Sequence, residues 1–200
     1  MNNPLLILCG GRSSRMGSPK PLLLYRGQTL IARQVADSIA HRPVWLASDG
    51  TIFPNTDGAT YLADYLPDKQ GALSAILSAL ILAEKHGFSG VYVMSCDTLW
   101  LPENMIALLK PHTQNPIFEQ GISIFQDNGQ WLPLLGFWSV VVAGSLKDWL
   151  DSGNKRVQHF VKHNPHQTID LPKEWAKLSN FNTPDEFEQA VLAANQFQAA

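Results

Sequence analysis

Strand-like and helix-like segments alternate through the first half of the chain, and this alternation constrains the fold more than any other feature. Short apolar runs fall near residues 4–9, 43–47, 59–62 and 90–95, with helix-patterned segments near 30–41, 71–86 and 103–110. A run such as Leu5-Leu6-Ile7-Leu8, apolar at every position, suits a strand buried on both faces. That is the environment inside a parallel sheet with helices on either side, so the order predicts an α/β fold with a mostly parallel sheet. Within 71–86, Leu73, Ile76, Leu77 and Leu80 follow the i, i+3, i+4, i+7 spacing of a core-facing helical stripe.

The second half changes character. The stretch "GISIFQDNGQWLPLLGFW" reads as two strands joined by Asp127-Asn128-Gly129, turn chemistry suited to an antiparallel hairpin, expected as a small insertion. Helical segments are expected near 139–150 and 154–163 and a strand near 167–170. A last helix follows, with Thr183, Pro184 and Glu186 at the N-cap, N1 and N3 positions of a capping box. At 200 residues and 45% hydrophobic, the chain is expected to form a single domain.

Composition narrows the function. A formal net charge of -2 argues against a general nucleic-acid binder. No stretch approaches the roughly 18 consecutive apolar residues of a membrane span, and the opening Met1-Asn2-Asn3-Pro4 lacks signal-peptide character. A cytoplasmic protein with neither nucleic acid nor membrane as partner is expected. Cys9 and Cys96, the only cysteines, each end an apolar run away from any metal-ligand spacing, which predicts buried thiols and no zinc. His159, His163 and His166 gather near a helix end, where solvated roles are expected.

Charge is distributed unevenly. Five cations (Arg12, Arg15, Lys20, Arg26 and Arg33) precede the first acidic residue, Asp37. Gly10 and Gly11 let the backbone turn and approach a ligand closely, and Arg12, Arg15 and Lys20 offer charge-assisted hydrogen bonds to phosphate oxygens. The loop matches neither GxxxxGK[ST] nor GxGxxG, and an ordinary solvated basic loop is the alternative. A second feature is "GVYVMSCDTLWLP", which sets Asp97 at the carboxyl end of a central strand, where open α/β sheets bind ligands. A carboxylate there suits magnesium, which takes one or two protein carboxylates and fills its shell with phosphate oxygens and water. Capping of the following turn is the alternative role.

These segments, taken in order, resemble a known family. "LCGGRSSRMGSPKPLL" is similar to the LAGGxSxRMGxDKxLL signature of the nucleotidyltransferases that act on the molybdenum cofactor, particularly the molybdenum cofactor guanylyltransferases. "ADYLPDKQGALSAILSAL" resembles that family's segment with an Asp seven residues before a GPLAG-like turn, and "SCDTLWLP" its PCDxPxLP. "SGNKRVQHFV" resembles its GxRRVxxFx helix and "NFNTPDEF" its closing NxNTPEEL. The matches run from Leu8 to Phe187.

The resemblance implies a Rossmann-like, three-layer αβα nucleotide-diphospho-sugar transferase fold that joins GMP from GTP to the phosphate of molybdopterin, with magnesium and release of pyrophosphate. It implies a nucleotide-binding half over 1–110 and an acceptor-binding half over 111–200. Carried over by motif, Leu8, Gly10 and Gly11 line the guanine end, Arg12 joins the nucleotide site, Arg15 and Lys20 meet the triphosphate, and Asp97 holds the metal. Asp64 falls where the family has another nucleotide- or metal-associated aspartate. Asn180 and Asn182, with the basic pair Lys155 and Arg156, belong to the side of molybdopterin or molybdenum-molybdopterin. Molybdoenzyme maturation proteins are the further partners implied.

Departures from the family pattern concern the base and the turns: Cys9 for Ala, Pro19 for Asp, Ala72 and Ala75 for the Pro and second Gly of GPLAG, Leu99 for the Pro of CDxP. Leu46 stands where an Asn often helps bind the base, with Ser48 or Asp49 as substitutes. A Rossmann-like order makes the first and fourth strands neighbours, which predicts that Cys9 and Cys96 lie side by side. Two alternatives remain open from sequence. One is a sibling transferase, the cytidylyltransferase for the same cofactor or a sugar-phosphate nucleotidyltransferase, and against the former the CGG of Cys9-Gly10-Gly11 favours guanine. The other is a pterin-cofactor carrier, which would need the basic clusters but not both Asp64 and Asp97.

Overall fold

The computed structural model describes residues 2–10, 16–67, 71–113 and 120–197. Seven strands form one sheet in the order β5-β4-β1-β6-β8-β7-β9. They are β1 (Leu5–Leu8), β4 (Val44–Ala47), β5 (Thr60–Leu62), β6 (Gly90–Ser95), β7 (Ile122–Asp127), β8 (Gln130–Ser139) and β9 (His166–Asp170). Strands β5, β4, β1 and β6 pair in parallel, β8 runs antiparallel to both β6 and β7, and β9 returns parallel to β7. The hairpin is thus bound into the main sheet. A separate two-stranded ribbon, β2 (Leu24–Tyr25) with β3 (Gln28–Thr29), precedes the first helix.

Among the described residues six α-helices cover the two faces. On one side lie α1 (Leu30–Ser38), α3 (Pro102–Thr113) and α6 (Pro184–Phe197), and on the other α2 (Ala72–Lys85), α4 (Ala143–Asp151) and α5 (Val157–Lys162). The alternation inside β1 explains why both faces must be covered. Leu5 and Ile7 enter the core shared with α1 and α3, whereas Leu6 and Leu8 enter the core shared with α2. The predicted stripe Leu73, Ile76, Leu77 and Leu80 is buried in the second core. There Trp138 of β8 stacks on Phe160 of α5, ring centroids 5.9 Å apart.

Local chemistry sets the boundaries. Asn128 (φ 48°) and Gly129 (φ 78°) both take left-handed backbone at the β7–β8 turn, the requirement of a tight type I′ hairpin. Thr183 accepts a hydrogen bond from the Glu186 amide at the start of α6, and the Glu186 carboxylate reaches back to the Asn182 amide at 2.6 Å, one residue earlier than the simplest capping box. Two boundaries differ from expectation. The segment expected as helix from 139 opens with a 3-10 turn at Val140–Val142 before α4, and α5 begins only at Val157 because Gly153, at φ 83°, breaks the chain direction before it. The β2–β3 ribbon, turning at Arg26 (φ 52°) and Gly27 (φ 79°), and the 3-10 segment Lys173–Leu178 are additions to the sequence reading. Among the described residues no helix is long and apolar enough to cross a membrane.

Candidate active site

Four parallel strands that start together also end together, so the loops leaving β1, β4, β5 and β6 emerge along one edge of the sheet. They carry Cys9-Gly10, Ser48-Asp49, Asp64 and Cys96-Asp97, and they border a cavity of about 980 Å³. Leu8, Gly10, Lys20, Asp64, Asp97, Asn180 and Asn182, predicted from separate motifs, all line it. Gly11, Arg12 and Arg15 lie outside the described residues. Lys155 and Arg156 do not line the cavity; they occupy the exposed connection between α4 and α5.

The tightest cluster sits at the end of β6. Lys20 enters at the start of a 3-10 turn whose Pro21 is buried, which anchors the base of its side chain. Its Nζ donates to Asp97 Oδ2 at 2.8 Å and to Asn182 Oδ1 at 2.9 Å, joining residues 77 and 162 positions away. The Ser95 hydroxyl donates to the other Asp97 oxygen, Oδ1. The backbone around Asp97 is held just as closely. Buried Gln34 of α1 donates through Nε2 to the carbonyls of Cys96 (3.4 Å) and Thr98 (3.1 Å), on either side of it. From the opposite side the Asn180 amide donates to the Asp97 carbonyl at 2.9 Å, and the Leu99 amide to the Leu178 carbonyl at 2.8 Å. A loop normally free to move is therefore fixed from two elements.

The other end of the cavity is acidic. Asp49, at φ 53°, follows β4, and its carboxylate crowds Gly10: a Cβ on Gly10 would lie 3.2 Å from Asp49 Oδ2. Burial, and then the charge of Asp49, raise the Asp64 carboxyl above its ordinary value. On the floor between the two ends, Cys9 and Cys96 are buried neighbours, as the strand order predicts. Burial pushes the Cys9 thiol well up, and its hydrogen bond to Cys96 adds to this, so both favour an unreactive thiol over a thiolate.

The donor set suits a hard divalent cation only in part. Asp97 presents carboxylate oxygen to the cavity, but among the described residues no three His, Cys, Asp or Glu side chains converge to hold a metal by themselves. That fits magnesium, which would take its remaining ligands from phosphate oxygens and water. The sequence reading passed over Ser95, although a hydroxyl two residues before a metal-suited aspartate is a signal visible in "SCD". Gln34 was hidden, since a buried glutamine on a helix carries no motif.

A family model for the MobA-like NTP transferase domain matches residues 5–168. A Sinorhizobium fredii protein named molybdenum cofactor guanylyltransferase is 31% identical over 208 residues, covering 98% of this chain and 93% of the relative. The solved structure of molybdopterin-guanine dinucleotide biosynthesis protein A from Archaeoglobus fulgidus superposes with a TM-score of 0.75 at 18% identity, over 96% of this chain and 99% of the other. A manganese complex of a Mycobacterium tuberculosis protein superposes at 0.62 and 16% identity, over 96% and 99% of the two chains. At these identities the two structures speak for the fold, while the domain match and the sequence relative speak for descent. The chain belongs to the MobA-like NTP transferase family and is a nucleotidyltransferase.

Proposed function

We propose that the protein transfers GMP from GTP to the terminal phosphate of molybdenum-loaded molybdopterin, releasing pyrophosphate and forming the guanine dinucleotide cofactor. The observation that carries this reading is the convergence of Lys20, Asp97 and Asn182 at the carboxyl edge of a parallel sheet, in a cavity large enough for a nucleotide. The names of the relatives support molybdenum cofactor and guanine as substrate classes.

The polarity of the cavity orients the nucleotide. Lys20 attracts phosphates and the Asp64 carboxylate repels them, so the triphosphate belongs at the Lys20 end. The strand ends of β4 and β6 flank β1 and stand roughly 10 Å apart. The base then falls near Gly10, Asp49 and Asp64, where carboxylates accept hydrogen bonds from N–H donors, and the guanine edge is rich in such donors. In the reaction an acceptor phosphate oxygen forms a bond to the α-phosphorus as the bond to the pyrophosphate oxygen breaks, and pyrophosphate leaves with the electron pair. No protein nucleophile is needed, only alignment and charge neutralisation. Lys20, with Arg15, balances charge on the triphosphate, and Asp97 would hold magnesium, which when bound would supply further positive charge against the phosphates. The manganese complex of a fold neighbour supports use of a divalent ion. Asn180 and Asn182 stand at the border between nucleotide and acceptor, with residues 1–110 serving chiefly the first and 111–200 the second. Reduced buried thiols at Cys9 and Cys96 accord with a cytoplasmic setting.

The test is direct. The purified protein is incubated with magnesium, labelled GTP, CTP or ATP, and molybdenum-loaded molybdopterin. GMP transfer is expected, favoured over the other nucleotides by about 10- to 100-fold, as an unpaired polar group at a mismatched base would give. Transfer of CMP at the same rate makes it a sibling transferase, and cofactor retention with no transfer makes it a carrier.

A further inference from the structure

The family signature that "SCDTLWLP" resembles has proline where this chain has Ser95. Proline has no hydroxyl, and here the hydroxyl is bonded to the carboxylate assigned to the metal. Ser95 is the last residue of β6, in register with Leu8 of β1, so the donor is mounted on a strand paired inside the sheet. Rotation about the last side-chain bond of an aspartate is soft, and its carboxylate plane is set by whatever it touches. Among the described residues two groups set it at Asp97: Ser95 on Oδ1 and Lys20 on Oδ2. Lys20 is assigned to the nucleotide phosphates, which leaves Ser95 as the contact that does not depend on substrate.

We propose that Ser95 is a positioning residue that fixes the Asp97 carboxylate plane, so that the oxygen lone pairs facing the cavity are presented to a divalent cation in one orientation. This rests on the reading of Asp97 as the metal carboxylate. Ser95 acts here through Asp97, to whose Oδ1 its hydroxyl donates. Groups that hydrogen-bond to metal ligands commonly govern metal affinity by 10- to 100-fold, and a single neutral hydroxyl belongs near the lower figure.

The experiment measures, by calorimetry on the full chain, the affinity for the non-hydrolysable α,β-methylene analogue of GTP with and without Mn²⁺. The readout is the gain in affinity that the metal brings. Ser95→Ala is expected to cut that gain by about tenfold while leaving metal-free affinity unchanged, and Ser95→Thr, which keeps the hydroxyl, to restore it. In turnover the Ser95→Ala defect should appear as a raised metal requirement that saturating metal overcomes. A wild-type gain in Ser95→Ala overturns the proposal alone. A wild-type gain in Asp97→Asn overturns the metal reading of Asp97, and the proposal with it. Equal losses in Ser95→Ala and Ser95→Thr assign the effect to packing and also overturn it.

Discussion

Two ion pairs flank the short segment from Asp97 to Glu103, and they are built differently. Arg42 meets Glu103 through two parallel contacts, Nε to Oε1 at 2.6 Å and Nη2 to Oε2 at 2.7 Å. Ser38 adds a third hydrogen bond to Oε1, and the remaining Arg42 nitrogen, Nη1, donates to the Asn3 carbonyl. Lys20 meets Asp97 through one contact, and among the described residues each Asp97 oxygen accepts a single side-chain hydrogen bond. Exposure does not separate them: the side chains are 1% and 25% exposed in the first pair, 16% and 17% in the second. What differs is how much hydrogen-bonding capacity is already committed. The Arg42–Glu103 pair has its donors spent on fastening α3 to α1 and β1's approach, whereas Asp97 keeps acceptor capacity directed at a cavity.

If that distinction holds, breaking each pair should damage a different property. The largest effect is expected from Asp97→Asn, which keeps shape but loses charge. GMP transfer should fall by about 100- to 1,000-fold with the melting temperature nearly unchanged. Wild-type turnover in this variant removes Asp97 from the chemistry. Next, Arg42→Ala should cost about 2–3 kcal/mol of stability, below the usual range for a fully buried pair because Glu103 is partly exposed. Denaturant unfolding measures this, and nucleotide affinity at a temperature where the variant is folded should match wild type. Lys20→Ala should weaken GTP binding by about one to two decades, as loss of a charge-assisted bond of roughly 1.5–3 kcal/mol does. A loss of stability equal to that of Arg42→Ala would make Lys20–Asp97 a structural pair as well.

The smallest effect is a pH dependence. Burial pushes the Glu103 carboxyl up, but hydrogen bonds from Arg42 and Ser38 outweigh it, with the charges of Arg42 and His41 adding to them, and the net shift is below its ordinary value of 4.5. A carboxyl lowered in the folded state adds stability that is complete above 4.5 and is lost as pH falls through the lowered value. Glu103→Gln should therefore melt below wild type at neutral pH, with the gap closing as pH drops under 4.5. A gap constant with pH would show that shape, not charge, holds the contact.

Periodic and turn features of the fold were legible in sequence. Runs of buried residues revealed β1, β4 and β6, and Asn128-Gly129 revealed the hairpin, because each depends on neighbouring residues; β5, whose residues are exposed or half-buried, was legible from its strand-like composition. The sequence did not reveal that β8 is wedged between β6 and β7, since pairing across the sheet is decided by packing. Its close fit is visible at Gly136, where a Cβ would stand 2.1 Å from the Ser123 carbonyl. For the site, motifs located Lys20, Asp64, Asp97 and Asn182 on one cavity. They could not reveal that Asn182 holds Lys20, nor that Gln34 grips the loop of Asp97, because such contacts join residues far apart in sequence and follow from topology. Lys155 and Arg156, read as an acceptor grip, stand clear of that cavity, and an acceptor reaching both would have to extend beyond it.

The span from Lys20 to Asn182 also bears on how the protein comes into being. The domain match ends at residue 168, before Asn182, and the amide of Asn180 completes the support of the Asp97 loop. A chain emerging from a ribosome can pair β1 with β4 and then β6 and shape most of the cleft floor while the segment carrying Asn180 and Asn182 is still unmade. Until it arrives, the Asn182 contact to Lys20 is missing, and the backbone on either side of Asp97 is held by Gln34 of α1 without the Asn180 amide opposite. Support for the candidate site thus joins segments of the chain that are made at very different times, and the cleft is braced from both sides only once the later one is in place.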